Sequence, residues 1–248
     1  EVLIEVHAAP ISPSDLALLI TFGGDLANIN ISGSGEDTVA SMKVHPAMMK
    51  SMKSRLDQAM PAGNEGAGVV VDAGSNVKHL TGKTVGLAGG AMYSQYICVP
   101  AINCLVMDDE TTAAEAASSF VNPMTALSFV ETMKMENHSG IVNTAAASNL
   151  GQMLVKICND DDIPLVNIVR TQEQVDLLKN IGAKYVCNTS EENFKETLVT
   201  ALIETGATLG FDATGGGNNG ELPGQILAAM EIASNSGSGE YSRYGSET

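Results

Sequence analysis

The stretch from Gly140 to Cys158, GIVNTAAASNLGQMLVKIC, constrains the fold more than any other part of the chain. A short apolar run, Ile141-Val142, gives way to the small residues Thr144 to Ser148. A helical pattern follows, with Leu150, Met153, Leu154, Ile157 and Cys158 at steps of three and four. Strand, small-residue turn and helix in this order open a dinucleotide-binding βαβ unit. Small residues let the backbone approach a pyrophosphate, and the start of the helix turns unpaired N–H groups toward its charge. Ala145, Ser148 and Gly151 stand where three glycines are usual, so the glycine pattern is degraded. Taken alone, the segment also fits any strand-turn-helix of an α/β protein. If it is the nucleotide turn, its contacts are Ala145, Ala147, Ser148, Asn149, Leu150 and Gly151.

The pattern continues beyond this unit. Leu165 to Val169 reads as a buried parallel strand. Val175, Leu178 and Ile181 mark a helix face that ends at Gly182. Tyr185 to Cys187 is a short strand. Phe194, Leu198, Ala201 and Leu202 mark a helix that stops at Gly206. Leu209 to Asp212 is a fourth strand, running out into Ala213-Thr214-Gly215-Gly216-Gly217. Strands alternating with helices of this length predict a parallel sheet covered on both faces. Ligands on such sheets sit at the carboxyl ends of the strands. This adds Arg170, Thr171, Asn188, Thr214 and Gly215 to the candidate cofactor contacts.

Arg170 carries the next inference. A carboxylate about 20 residues past the glycine turn accepts the ribose hydroxyls of NAD. Here the residue nineteen positions after Gly151 is basic. A guanidinium pairs with a 2′-phosphate that a carboxylate would repel. The expected cofactor is therefore NADP(H) rather than NAD.

Four further segments, in order, resemble the medium-chain dehydrogenase/reductases, on the zinc-independent quinone-oxidoreductase side of that superfamily. Val2 to Leu19 (VLIEVHAAPISPSDLALL) resembles the family's first strand and the turn into its active site. Pro61 to Val71 (PAGNEGAGVVV) resembles its G-x-E-x-x-G segment. Asn76 to Gly86 (NVKHLTGKTVG) resembles the following hairpin, and Ala113 to Val130 (AAEAASSFVNPMTALSFV) the helix leading into the cofactor domain. The resemblance implies an α/β protein with a GroES-like β-barrel domain, residues 1–115, followed by a Rossmann domain, residues 116–248. The active site would lie between them. It also implies that Thr125 contacts the cofactor near the nicotinamide.

Departures from the family pattern shape the chemistry. Zinc-dependent members carry a Cys where this chain has Ser12, a His where it has Asn64, and a third ligand at the position of Asn122. Hydroxyls and amides are poor zinc ligands. Cys98, Cys104, Cys158 and Cys187 form no CxxC pair, and the four histidines are scattered. No metal is expected. Without such a Lewis acid, alcohol dehydrogenation is disfavoured. What remains is hydride transfer from NADPH to an electron-poor acceptor, a quinone or an α,β-unsaturated carbonyl. Ser12, Ser14, Asn64 and Asn122 are the candidate pocket residues, and no catalytic residue stands out. Asp15 and Glu65 stand beside them as further pocket candidates, with loop anchoring as their other reading.

An enoyl-thioester reductase is the alternative enzyme. That sister group shares the P-S-D and G-N-E-G wording of Pro13–Asp15 and Gly63–Gly66. It relies on a Tyr a few residues after P-S-D, where this chain has Phe22-Gly23-Gly24. A nucleotide-binding protein without turnover is the reading from another class.

Composition bounds the partners. A net charge of −16 disfavours nucleic acid and anionic membrane. No apolar run reaches the length of a membrane span. The expected setting is the cytoplasm, with a small-molecule acceptor as partner. Residues 24–60 exceed the family's usual spacing. Asn28 to Asp37 reads as a loop, and Met48, Met52, Leu56 and Met60, at steps of four, predict a helix with a packed face. The chain begins inside a strand, and the Rossmann pattern stops after four strands. Both ends therefore read as cut, with a homodimer expected for the full-length protein.

Overall fold

Alternation in VLIEVHA buries Val2 and Ile4 and leaves Leu3 half out, which makes this segment a sheet strand with one core-facing side. The structure, a computed structural model, describes residues 1–21, 25–50, 53–214 and 220–236. It divides into two units, Glu1–Val121 and Asn122–Thr248.

In the first unit, β1 (Val2–Ala8) leads to a helical turn, α1 (Pro13–Leu16), which continues as a π-helical turn over Ala17–Thr21. β2 (Asn30–Ser32) and β3 (Val39–Ser41) then pair as an exposed two-stranded ribbon. The ribbon occupies part of the segment whose composition predicts a loop. The described residues of Val44–Met60 do not form the helix expected there. The segment forms 3₁₀ turns at Pro46–Met48 and Lys53–Arg55, and Leu56 and Met60 are exposed. A helix of that length is marginal in water unless a face is buried, and among the described residues of this stripe Met48 is only partly covered while Leu56 and Met60 are exposed. Phe22-Gly23-Gly24 and Met52 lie outside the described residues.

β4 (Glu65–Ala73), β5 (Thr84–Ala88), β6 (Tyr96–Val99) and β7 (Leu105–Val106) complete an antiparallel sheet with β1, in the order β6-β1-β4-β5-β7. Its core is Val2, Ile4, Val70, Leu80, Val85, Leu87 and Met92. α2 (Ala113–Ala116) is closed at its start by a reciprocal cap. The Glu115 N–H is donated to the Thr112 hydroxyl, and the Thr112 N–H to the Glu115 carboxylate.

The second unit follows the strand–helix alternation read from the sequence. After α3 (Val121–Met135) come β8 (Ile141–Asn143), α4 (Asn149–Asp160), β9 (Leu165–Val169), α5 (Gln172–Asn180), β10 (Tyr185–Asn188), α6 (Phe194–Thr205), β11 (Leu209–Phe211) and α7 (Glu221–Ser236). All four strands are parallel, in the order β10-β9-β8-β11. Every residue of β9 is buried because both faces are covered. Ile141, Leu165 and Val169 pack with α3, α4 and α5. Val142, Val166 and Ile168 pack with α6 and α7. Phe129 and Phe211 stack, with ring centroids 3.7 Å apart. α6 ends at Gly206, in the left-handed region at φ 62°, whose N–H donates to the Leu202 carbonyl.

The chain runs from β8 outward to β9 and β10, then returns to the other side of β8 to form β11. The strand order thus reverses between β8 and β11, where open parallel sheets place their ligand crevice.

Candidate functional site

The turn after β8 supplies the backbone geometry that its degraded glycine pattern leaves in question. Ala145 takes φ 49°, a left-handed conformation that glycine usually fills. Gly151 fills the close-packing role. A Cβ there would stand 2.1 Å from the Ala146 carbonyl oxygen. Only a glycine lets α4 rest directly on the turn. The Ala146 N–H donates to the Ile168 carbonyl, which fastens the turn to β9. Ser148 caps α4 by accepting the Gly151 N–H on its hydroxyl at 3.2 Å. The N–H groups of Asn149 and Leu150, in the first turn of α4, have no intrahelical acceptor.

These elements wall a groove of about 750 Å³ at the carboxyl ends of β8, β9 and β11. Ala145, Ala147 and Ser148 form one side. Ile168, Val169 and Arg170 come from β9 and its end, and Gln174 from α5. Ala213 and Thr214 follow β11, while Glu221, Leu222 and Gln225 come from α7. Arg170 is exposed and has no acidic partner among the described residues. The groove therefore combines a small-residue turn, the cap of a helix start and a cation, which suits a ligand with phosphates; Asn149, Leu150 and Gly151 follow in α4 and are not among the residues that line it.

A polar clamp holds the wall after β11. Thr144, buried at the end of β8, donates its hydroxyl to Asp212 Oδ1 at 2.7 Å and accepts the Ala213 N–H at 2.8 Å. The same Asp212 oxygen accepts the backbone N–H and the hydroxyl of Thr214. Asp212 thus spends its charge on the loop. Sequence reading counted Thr144 only as a small residue and passed over Asp212 and Gln174. No local pattern joins partners 68 positions apart.

Other candidates from the sequence have different work in the structure. Thr171 caps α5 by accepting the Gln174 N–H, and its bond to the Glu173 carboxylate holds that group below its usual range. Asn188 is buried and accepts from the N–H and hydroxyl of Ser190, while Thr189 lines the groove in its place. Thr125 is half-buried on α3, with its carbonyl accepting the Ser128 hydroxyl. Gly215 lies outside the described residues.

The pocket candidates Ser12, Ser14 and Asn64 fall in the first unit and Asn122 in the second. Asn64 donates its side-chain amide to the Ser14 hydroxyl at 2.8 Å. Asp15, fully buried, accepts the Ser12 N–H on one oxygen and the Asn64 N–H on the other. Glu65 accepts the Phe120 and Val121 N–H groups. Both carboxylates hold loops together. Tyr93 joins this cluster, donating its hydroxyl to the Pro10 carbonyl at 3.0 Å. Desolvation and then the Asp15 carboxylate push its phenol upward, so it stays protonated. Among the described residues no three His, Cys, Asp or Glu side chains come together as a metal site, and no helix is long and apolar enough to cross a membrane.

No family model matches the sequence. Curated relatives do match it. A mitochondrial enoyl-[acyl-carrier-protein] reductase of Caenorhabditis elegans is 27% identical over 150 residues, covering 58% of this chain and 43% of the relative. That of Xenopus tropicalis is 26% identical over 215 residues, covering 82% and 52%. The chain spans about half the length of these relatives. Among solved structures, a candidate NADPH:quinone reductase of Mesorhizobium loti superposes with a TM-score of 0.67 at 28% identity, covering 92% of this chain and 59% of that one. Escherichia coli quinone oxidoreductase, solved with NADPH, gives 0.56 at 22% identity, covering 80% and 53%, a likeness of fold alone. The structural neighbours are quinone oxidoreductases and enoyl reductases of the medium-chain dehydrogenase/reductase superfamily. The fold is theirs: an antiparallel GroES-like unit followed by a Rossmann unit, the latter incomplete beside them, with four strands among the described residues.

Proposed function

We propose that this chain is an oxidoreductase of the medium-chain type that binds NADPH in the groove of its second unit and reduces a quinone or another electron-poor acceptor. The observation that carries the reading is the turn over β8. Ala145 is left-handed, Gly151 is pressed against Ala146, and Ala145, Ala147 and the α4 cap Ser148 line the same groove as Arg170. A pyrophosphate fits that backbone, and a 2′-phosphate fits the guanidinium. The NADPH named for structural neighbours supports the choice of cofactor.

The cofactor, when bound, supplies the hydride for the acceptor. The chain's own part is to bind and to orient. Ser148 and the α4 N–H groups hold the pyrophosphate, Arg170 sets the affinity for NADPH over NADH, and the Thr144–Asp212 clamp fixes the wall beside it. Ser12, Ser14 and Asn64 of the first unit are the groups proposed to hydrogen-bond the acceptor's oxygen, and Asn122 of the second unit is proposed separately as such a donor.

A second reading, an enoyl-thioester reductase, has support of its own. The curated relatives carry that name, at 26–27% identity. Steady-state oxidation of NADPH against a panel of quinones, simple enones and trans-2-enoyl thioesters separates the two. Turnover restricted to thioesters favours the second reading. Saturable NADPH binding with no oxidation by any acceptor would leave a nucleotide-binding protein without turnover.

A further inference from the structure

Gln174, the third residue of α5, accepts the Arg170 backbone N–H on its side-chain oxygen at 2.9 Å. A backbone N–H can only donate, so the amide atom facing it must be the oxygen. The NH₂ end is then turned the other way. No described residue accepts from it, and Gln174 lines the groove beside Arg170. Its own backbone is held as well, because its N–H donates to the Thr171 hydroxyl. The result is a side chain pinned at its oxygen that offers two N–H donors next to a guanidinium. The acidic side chain of the groove, Glu221, comes from α7, which covers the opposite face of the sheet from α5.

Resting on the dinucleotide reading of this groove, we propose that Gln174 is a specificity-determining residue for the ribose 2′ position. Its amide donates to a 2′-phosphate oxygen in concert with Arg170. The backbone bond is what sets the orientation: it turns the amide oxygen to the Arg170 N–H and leaves the NH₂ end for a ligand. NADPH is thereby favoured by an uncharged residue as well as by the cation.

Gln174→Glu separates the two ends of the side chain. One carboxylate oxygen still accepts the Arg170 N–H, while the donor end becomes a negatively charged acceptor. Dissociation constants for NADPH and NADH, measured by fluorescence on the wild-type chain and on Gln174→Glu, Gln174→Ala, Arg170→Ala and Arg170→Ala/Gln174→Glu, give the test. The expected result is an NADPH constant at least about 10-fold weaker in Gln174→Glu, with NADH within about 3-fold or tighter. Gln174→Ala should fall between the two. The double variant should lose less than the product of the single effects, since both groups act on one phosphate. Equal weakening of both cofactors, or unchanged NADPH binding, would overturn the proposal and leave Gln174 a structural residue. A wild-type chain that binds neither cofactor would instead overturn the dinucleotide reading beneath it.

Discussion

At the scale of single residues, the turn over β8 carries its strain in Ala145. A left-handed alanine costs about 1 kcal/mol relative to a glycine in the same place. Ala145→Gly should therefore raise stability by about that amount, seen as an upward shift of a few degrees in Tm. Gly151 allows no such freedom. Gly151→Ala drives a methyl into the Ala146 carbonyl and should cost about 3 kcal/mol or more, read from denaturant unfolding. Both residues belong to one short motif, yet the sequence does not show how they differ. The small-residue run announces a close approach, but only the backbone angles reveal which position is left-handed and which is crowded. Gln174 was illegible for a related reason, since its role depends on which end of an amide faces a backbone N–H.

At the scale of elements, the β8–β11 clamp sets the shape of the groove. Thr144→Val keeps the volume of a buried side chain but removes one donor to Asp212 and the acceptor for the Ala213 N–H. We expect a loss of about 1–3 kcal/mol in stability together with weaker cofactor binding, since the loop that lines the groove is released. A stability loss with unchanged NADPH affinity would show that the clamp serves the fold alone. Elements buried on both faces, such as β9, were legible because burial leaves an unbroken apolar run. The helices α4, α5 and α6 were legible because they bury one face at a regular period. The methionine-spaced segment before Pro61 was misread because a period of four predicts a helix only where some surface covers the stripe, and Leu56 and Met60 stay exposed. The clamp could not be foreseen, because its partners meet only once the strand order reverses.

At the scale of the whole molecule, two buried thiols shape the response to pH. Burial, with Asp161 and Glu191 nearby, pushes Cys158 and Cys187 each up to about 12, against 9.0 for a free thiol. The folded chain keeps these protons where the unfolded chain would release them. Their contribution to stability is therefore full below about pH 9 and is lost as pH rises toward 12. Denaturation midpoints should fall over that range, and a Cys158→Ala/Cys187→Ala variant should show a shallower fall. Exposed Cys98 should react with a maleimide at pH 8 well before either of them. Over a chain of net charge −16, a phosphate site must be made by local arrangement, and the groove over β8 has such an arrangement in the capped start of α4 at Ser148 and in Arg170. The acceptor's identity is less legible than the cofactor's, since Ser14, Asn64 and the hydroxyl of Tyr93 could hydrogen-bond many oxygens. The most direct test of the account is a fluorescence titration of NADPH into the wild-type chain and Ser148→Asp. Aspartate caps a helix as well as serine does, so the fold and Tm should hold while a carboxylate now faces the pyrophosphate. The account predicts saturable binding by the wild type that falls by about 10-fold or more in Ser148→Asp. Equal affinity in the two proteins would contradict it.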